Sequence, residues 1–179
     1  MSEEDIKSQK KESVLKHPVP SKHLEKIGDI TVSFALLETI IQFFVWSLVE
    51  QPQRIGQIIT AELSFKNSRA ILISLYKERH GEDSDFKIIR ELMKRAGKIE
   101  EKRNQITHSV WGAGKDANSI TRFKTTAKEK CGLRFKFEDV TADYLAEIAG
   151  DIKKLAHEIQ DFTIDLITRK KIKNISLSL

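Results

Sequence analysis

Apolar residues recur along most of the chain at spacings of three and four, the mark of helices that bury one face. The first such run begins after Pro20. Ile27, Ile30, Phe34, Leu37, Ile41, Phe44 and Leu48 form one stripe, and Ile40, Phe43, Val45 and Trp46 make its second half apolar on more than one side. Ser21 is a suitable N-cap, because its hydroxyl can accept a bond from a free first-turn amide. Pro52 disfavours helix at the residue before it, so the helix is predicted over 21–50. A helix apolar nearly all round is buried on several sides or meets a partner.

A short helix is predicted over 54–62 and another over 64–80. The second has Leu63, Ala70, Ile71, Leu75 and Tyr76 facing inward, and Lys66, Arg69, Lys77 and Arg79 facing solvent. Gly81-Glu82-Asp83-Ser84 breaks the pattern, with Gly81 ending one helix and Asp83 or Ser84 capping the next. That next helix is predicted over 85–110, with Phe86, Ile89, Leu92, Met93, Ala96, Ile99 and Ile106 inside.

The period then changes from near four to two. Residues 120–125 and 133–137 alternate apolar with basic or polar and predict an antiparallel hairpin over about 119–137. Phe123, Leu133, Phe135 and Phe137 are expected to face the helices, since a two-stranded ribbon needs packing to be stable. Arg122, Lys124, Arg134 and Lys136 would then point outward. Thr141 opens a last helix, with Asp143 in its first turn and a stripe from Tyr144 through Leu145, Ile148, Ile152, Leu155, Ile159 and Phe162 to Leu166. The pattern therefore predicts a mainly all-α fold, an antiparallel bundle of four to five helices with a small β-hairpin before the last one. Residues 1–20 read as a flexible arm, 21–168 as a single domain, and 169–179 as a loose tail.

Composition narrows the function. With 179 residues, one proper core is expected. The single cysteine, Cys131, has no partner for an internal disulfide or a zinc knuckle, which fits a reducing cytoplasm. The acidic N-terminus is unlike a secretory signal. Residues 31–49 are apolar enough to suggest a membrane span, but Glu38 near the middle would be expensive in lipid, so a soluble protein is expected. Its carboxylate is expected to pair with Arg69 or Arg103. The net charge of +5 permits a polyanionic partner without requiring one.

Candidate chemistry concentrates where the fourth predicted helix runs out, in Arg103-Asn104-Gln105-Ile106-Thr107-His108. Asn104 and His108 are four apart and share a face. Arg103 lies roughly 140° from His108 around the axis, but its side chain is long. Histidine exchanges a proton near neutral pH, arginine offers a planar fork to a phosphate, and asparagine can orient either. Lys94, Lys98 and Lys102 form a line leading to the trio. That line suits an RNA backbone, and it also suits a solvated helix face.

Arg103-Asn104, three residues, then His108 resembles the signature of the HEPN superfamily, the higher eukaryote and prokaryote nucleotide-binding domains. Placement late in a long helix, and an early apolar helix carrying Leu37-Glu38, extend the likeness over residues 24–167. The resemblance implies a metal-independent endoribonuclease needing no cofactor, acting as a homodimer in the cytoplasm and leaving a 2′,3′-cyclic phosphate. His108 would be the acid/base, Arg103 would stabilise the phosphate, and Asn104 would hold one of them. Lys98, Lys102, Arg122, Lys124 and Arg134 are the candidate RNA contacts. The alternative is a non-catalytic nucleotide- or RNA-binding module, or a regulatory dimer. A toxin–antitoxin or phage-defence setting, with an antitoxin or regulatory partner, suits either reading.

Overall fold

In the computed structural model, the described residues are 19–49, 51–116, 118–128 and 132–173, with side chains undescribed over 125–134. The expected arm over 1–18 and the end of the tail, 174–179, lie outside them. Five helices and three strands follow in order: α1 (Ser21–Val49), α2 (Gln53–Thr60), α3 (Phe65–His80), α4 (Ser84–Thr107), β1 (Val110–Ala113), β2 (Ser119–Lys128), β3 (Gly132–Thr141) and α5 (Ala142–Thr168). The fold is mainly α with a small antiparallel sheet before the last helix, as the periodicity predicts.

The chain groups into two compact units. One comprises Met1–Glu25 with Ser109–Ala142, and the other Lys26–His108 with Asp143–Leu179.

The helical unit is built on the predicted stripes. Ile30, Phe34, Leu37, Ile41, Phe44 and Leu48 of α1 are buried, as are Ile89, Met93 and Ala96 of α4 and Ile148, Ile152, Leu155 and Ile159 of α5. α1 is long and apolar enough to cross a membrane by length and composition alone, with a mean hydropathy of 1.8 over its most apolar window, 56 % of which is buried in the protein. Trp46 holds α2 against the end of α1. Its Nε1 donates to Thr60 Oγ1 at 2.9 Å, and a Cβ on Gly56 would meet its ring at 2.6 Å.

In α3 the inner face is rotated from the expected one. Phe65, Ser68, Leu72 and Tyr76 are buried, whereas Ala70 is exposed. The run Ala70-Ile71-Leu72-Ile73-Ser74-Leu75 is apolar at nearly every position, so periodicity alone does not set its register. Arg69, expected in solvent, lies half-buried on this inner side.

The stretch from Arg169, expected to be loose, is tied down as far as Lys173. Asp85, in the first turn of α4, accepts from Arg169 Nη1 and Nη2 at 3.0 and 3.1 Å and pairs with Lys171. Lys171 also reaches Asp83 at 2.7 Å, the Lys173 amide donates to Ser47 O at 3.3 Å, and Ile172 is buried. Hydrogen bonds from Arg169, and then from Lys171, hold the Asp85 carboxyl down at about 2. Tyr76, whose hydroxyl faces both aspartates at 3.3 and 3.5 Å, is pushed up to about 12, chiefly by burial and then by the two carboxylates.

In the other unit the sheet order is β1-β2-β3, all antiparallel. β1 is an addition to the expected hairpin. It takes Val110-Trp111-Gly112-Ala113, so the helix expected to reach Val110 stops three residues earlier. Tryptophan and β-branched valine favour a pleated surface.

The expected facing of the hairpin is inverted. Ile120 pairs with Val140 and Arg122 with Glu138, two residues along each strand, so all four share one face. Ile120, Val140 and Arg122 on that face are buried. Phe135 and Phe137, expected to be covered, are 63 % and 62 % exposed. Alternation fixes which residues go together but not which side is covered, and Ile120 and Val140 carry Arg122 inward with them.

Candidate functional site

The site is assembled at the C-terminal end of α4. The helix starts at a cap, with Asp83 Oδ1 accepting from the Phe86 amide at 2.8 Å, and runs 24 residues to Thr107. At its end the last carbonyls lose their helical partners. Thr107 Oγ1 donates to Arg103 O at 3.1 Å, a side-chain bond that helps terminate a helix. His108 is the C-cap, at φ −107° and ψ 14°, and its amide donates to Asn104 O at 3.1 Å. Asn104 and His108 are thus joined through the backbone, one turn apart.

Arg103 and Asn104 meet through their side chains. Arg103 Nη1 donates to Asn104 Oδ1 at 2.8 Å. This uses one of the five N–H groups of the guanidinium. The guanidinium also lies over the Phe34 ring of α1, 4.0 Å from its centroid, a cation–π contact that fixes its plane. Both side chains are half-buried. The imidazole of His108 is exposed, and no hydrogen bond or ion pair to it occurs among the described residues.

Phe34 is itself held. Its ring lies 4.6 Å from that of Phe65 on α3, and Arg69 stands over Phe65 at 5.5 Å. Arg69 Nη1 donates to Met93 O and Nη2 to Glu100 Oε2, each at 3.0 Å. A relay of stacked groups therefore leaves α4 at Arg103, passes through α1 and α3, and returns to α4 at Glu100. Gly97 makes room for it, since a Cβ there would meet Arg69 Nη1 at 2.7 Å. Glu38 takes neither arginine and stays half-buried without an ion pair among the described residues. The partner expected for it is drawn away because Arg69 has Glu100, and Arg103 has Asn104 and Phe34. Phe65 and Arg69, four apart on one helix face, carried a readable signal for half of this relay.

The candidate phosphate contacts fare unequally. Lys98 is exposed on the α4 stripe. Lys94 lies 3.5 Å from Glu91, and half-buried Lys102 lies 3.3 Å from Asp151 on α5. Lys124 is exposed on β2. Arg122 is not outward as expected. It is 6 % exposed and ion-paired with Glu138, because its strand face is the covered one. The side chain of Arg134 lies outside the described ones.

No cluster of three or more His, Cys, Asp or Glu that could hold a metal ion occurs among the described residues. The arrangement offers a fixed cation, an amide that positions it, and an open imidazole one turn on. No protein family, no curated protein and no solved structure matches the chain.

Proposed function

We propose that the protein is a metal-independent endoribonuclease that cleaves RNA through the RNA's own 2′-hydroxyl. The observation that supports this most is the Arg103 guanidinium, held between Asn104 Oδ1 and the Phe34 ring at the helix end that carries an open His108. In this reading His108 removes the 2′-proton or protonates the departing 5′-oxygen. Arg103 stabilises charge on the non-bridging oxygens as the phosphorane forms. Asn104 keeps the guanidinium in place. The 2′-oxygen bonds to phosphorus as the 5′-oxygen leaves, so one product ends in a 2′,3′-cyclic phosphate and the other in a 5′-hydroxyl.

A homodimer belongs to this reading. A single imidazole cannot serve as base and acid in one step, whereas two motifs facing each other supply both. Lys98 and Lys102 lead towards Arg103 and suit the RNA backbone. A toxin or phage-defence role in the cytoplasm, held in check by a partner, would suit such an activity.

A non-catalytic RNA- or nucleotide-binding module is the second reading. It is favoured by the His108 imidazole, which nothing among the described residues orients, whereas an acid/base histidine is commonly held by a second group. Incubating end-labelled single-stranded RNA with the protein in EDTA, beside DNA of the same sequence, separates the two. Cut RNA with a cyclic-phosphate end and intact DNA supports the nuclease. Intact RNA that stays bound supports the module.

A further inference from the structure

Arg69 and Arg103 stand at the two ends of one chain of ring contacts. The Arg69 guanidinium lies over the Phe65 ring at 5.5 Å, the Phe65 and Phe34 rings are 4.6 Å apart, and the Arg103 guanidinium lies over Phe34 at 4.0 Å. The acids of α4 treat the two arginines differently. Arg69 Nη2 pairs with Glu100 Oε2 at 3.0 Å, the two side chains being 18 % and 19 % exposed. Arg103 has Asn104 Oδ1 on its Nη1 and no carboxylate partner among the described residues. The proposed chemistry uses Arg103 and gives Arg69 and Glu100 no part.

Glu100 is nevertheless well placed to take Arg103. It lies three residues before it on α4, and a glutamate followed by an arginine three or four residues on are neighbours that attract. Such a pair would occupy the planar fork that a phosphate needs. Arg69, from α3, draws Glu100 away. Its guanidinium is fixed on three sides, with Nη1 donating to Met93 O, Nη2 donating to Glu100 and its face over Phe65. Gly97 lets it in, since a Cβ there would meet Nη1 at 2.7 Å. The pair is largely out of solvent, so salt screens it less than a surface pair. Glu38, one turn from Phe34 on α1, and the exposed Glu101 make no ion pair among the described residues. Glu101 is two residues from Arg103, a spacing that does not share a helix face.

We infer that Arg69 is a positioning residue that keeps Arg103 open to a phosphate by holding Glu100 away from it, with Gly97 providing the space for its guanidinium. This rests on the reading above, in which Arg103 meets a phosphate. It adds that the cation of the motif is kept free of its own helix's carboxylate by a second arginine from another helix.

The test is fluorescence anisotropy of a labelled 2′-O-methyl oligo(U), which cannot be cut through its 2′-oxygen, beside cleavage of unmodified oligo(U). Arg69→Met keeps the bulk and removes the charge, and should weaken binding about tenfold or more, the scale of one lost charge-assisted hydrogen bond. Arg69→Met/Glu100→Gln should restore it. Glu100→Gln alone should bind at least as tightly as the wild type, which a mere staple between α3 and α4 does not predict. Arg69→Met/Glu38→Gln and Arg69→Met/Glu101→Gln have the net charge of the restored variant and should stay weak. Gly97→Ala leaves every charge in place and displaces Nη1, so it should weaken binding and be restored by Glu100→Gln, a second route if Arg69→Met folds poorly. In nitrogen–proton NMR spectra the Arg103 Nε–H signal, shifted by the Phe34 ring, should move in Arg69→Met and return in Arg69→Met/Glu100→Gln, a readout that needs no RNA. Binding that stays weak after Glu100→Gln, or an Arg103 signal that Arg69→Met leaves in place, overturns the proposal. So does wild-type binding that Arg103→Ala does not change, and so does equal restoration by Glu101→Gln, which would reduce the effect to net charge. The expected pattern of binding with unmodified RNA never cut would leave the role of Arg69 standing and sink the nuclease. RNA cut as fast by Arg69→Met and Gly97→Ala as by the wild type would do the reverse.

Discussion

The guanidinium of Arg103 lies 4.0 Å from the centroid of the Phe34 ring, so a side chain of the long first helix fixes the arginine at the end of α4. This contact sets what each residue should do when changed. Arg103→Lys keeps the charge and loses the planar fork and the stack. It is expected to lower kcat/KM for RNA by about a hundredfold, the scale of one lost transition-state donor. Phe34→Leu keeps the apolar contact and loses the π-face, and should lower kcat by about three- to tenfold with little change in KM. Single-turnover and steady-state kinetics on one RNA separate the effects. A Phe34→Leu variant that cuts RNA as fast as wild type would show that the stack does not position the arginine.

Acid should loosen the clamp between the start of α4 and the end of α5. Asp85 has its carboxyl lowered to about 2, first by the Arg169 hydrogen bonds. An unfolded aspartate titrates near 3.9. The stabilisation is therefore complete above that value and is lost as pH falls towards 2, and its size is about 2 kcal/mol. Urea denaturation of wild type and Asp85→Asn at neutral pH and near pH 3 should show the difference between them shrinking as pH falls. A difference that stays constant would mean that the clamp does not depend on ionised Asp85.

Gly56→Ala should destabilise the protein although alanine is the better helix former by about 1 kcal/mol. The new methyl would meet the Trp46 ring at 2.6 Å, and such overpacking costs about 1–3 kcal/mol. Thermal or urea unfolding followed by tryptophan emission reads the net effect. A variant more stable than wild type would mean that Trp46 has room to move.

Much of the scaffold was legible because burial follows periodicity. Every residue expected inside α4, from Phe86 to Ile106, is buried. The ends and faces of elements were less legible. α3 is apolar almost continuously from Ala70 to Leu75, and packing against Phe34 and Glu100 chose its register. β1 follows a helix without a glycine or proline to mark the change. The sheet's covered side depends on Ile120 and Val140, whose pairing needs the register. Arg103, Asn104 and His108 were legible as a spacing on one helix. Phe34 and Arg69, which hold the arginine, come from other helices and become its neighbours only through tertiary contacts.

Lys98 and Lys102 should differ as RNA contacts. Lys98 is exposed on the α4 stripe, whereas Lys102 is engaged by Asp151 at 3.3 Å. Lys98→Ala should lower the slope of log affinity against log salt by about 0.7, the value of one phosphate contact on a single strand. Lys102→Ala should lower it by less. Equal slopes in both variants and the wild type would take RNA off this face of α4.

Leu36 and Val32, one turn apart on α1, are 51 % and 72 % exposed, and a homodimer would cover such a pair. Sedimentation should give twice the chain mass of 20.5 kDa, and Leu36→Glu should shift it towards the monomer. A wild-type monomer at assay concentrations would leave the two-histidine chemistry without its second imidazole.

The most direct measurement uses a DNA oligonucleotide containing a single ribonucleotide, incubated in EDTA with wild type and with His108→Ala. The 2′-hydroxyl mechanism predicts one cut by the wild type, on the 3′ side of that ribonucleotide, with a cyclic-phosphate end and no cut by the variant. Cleavage at other positions, or equal cleavage by the variant, would contradict it.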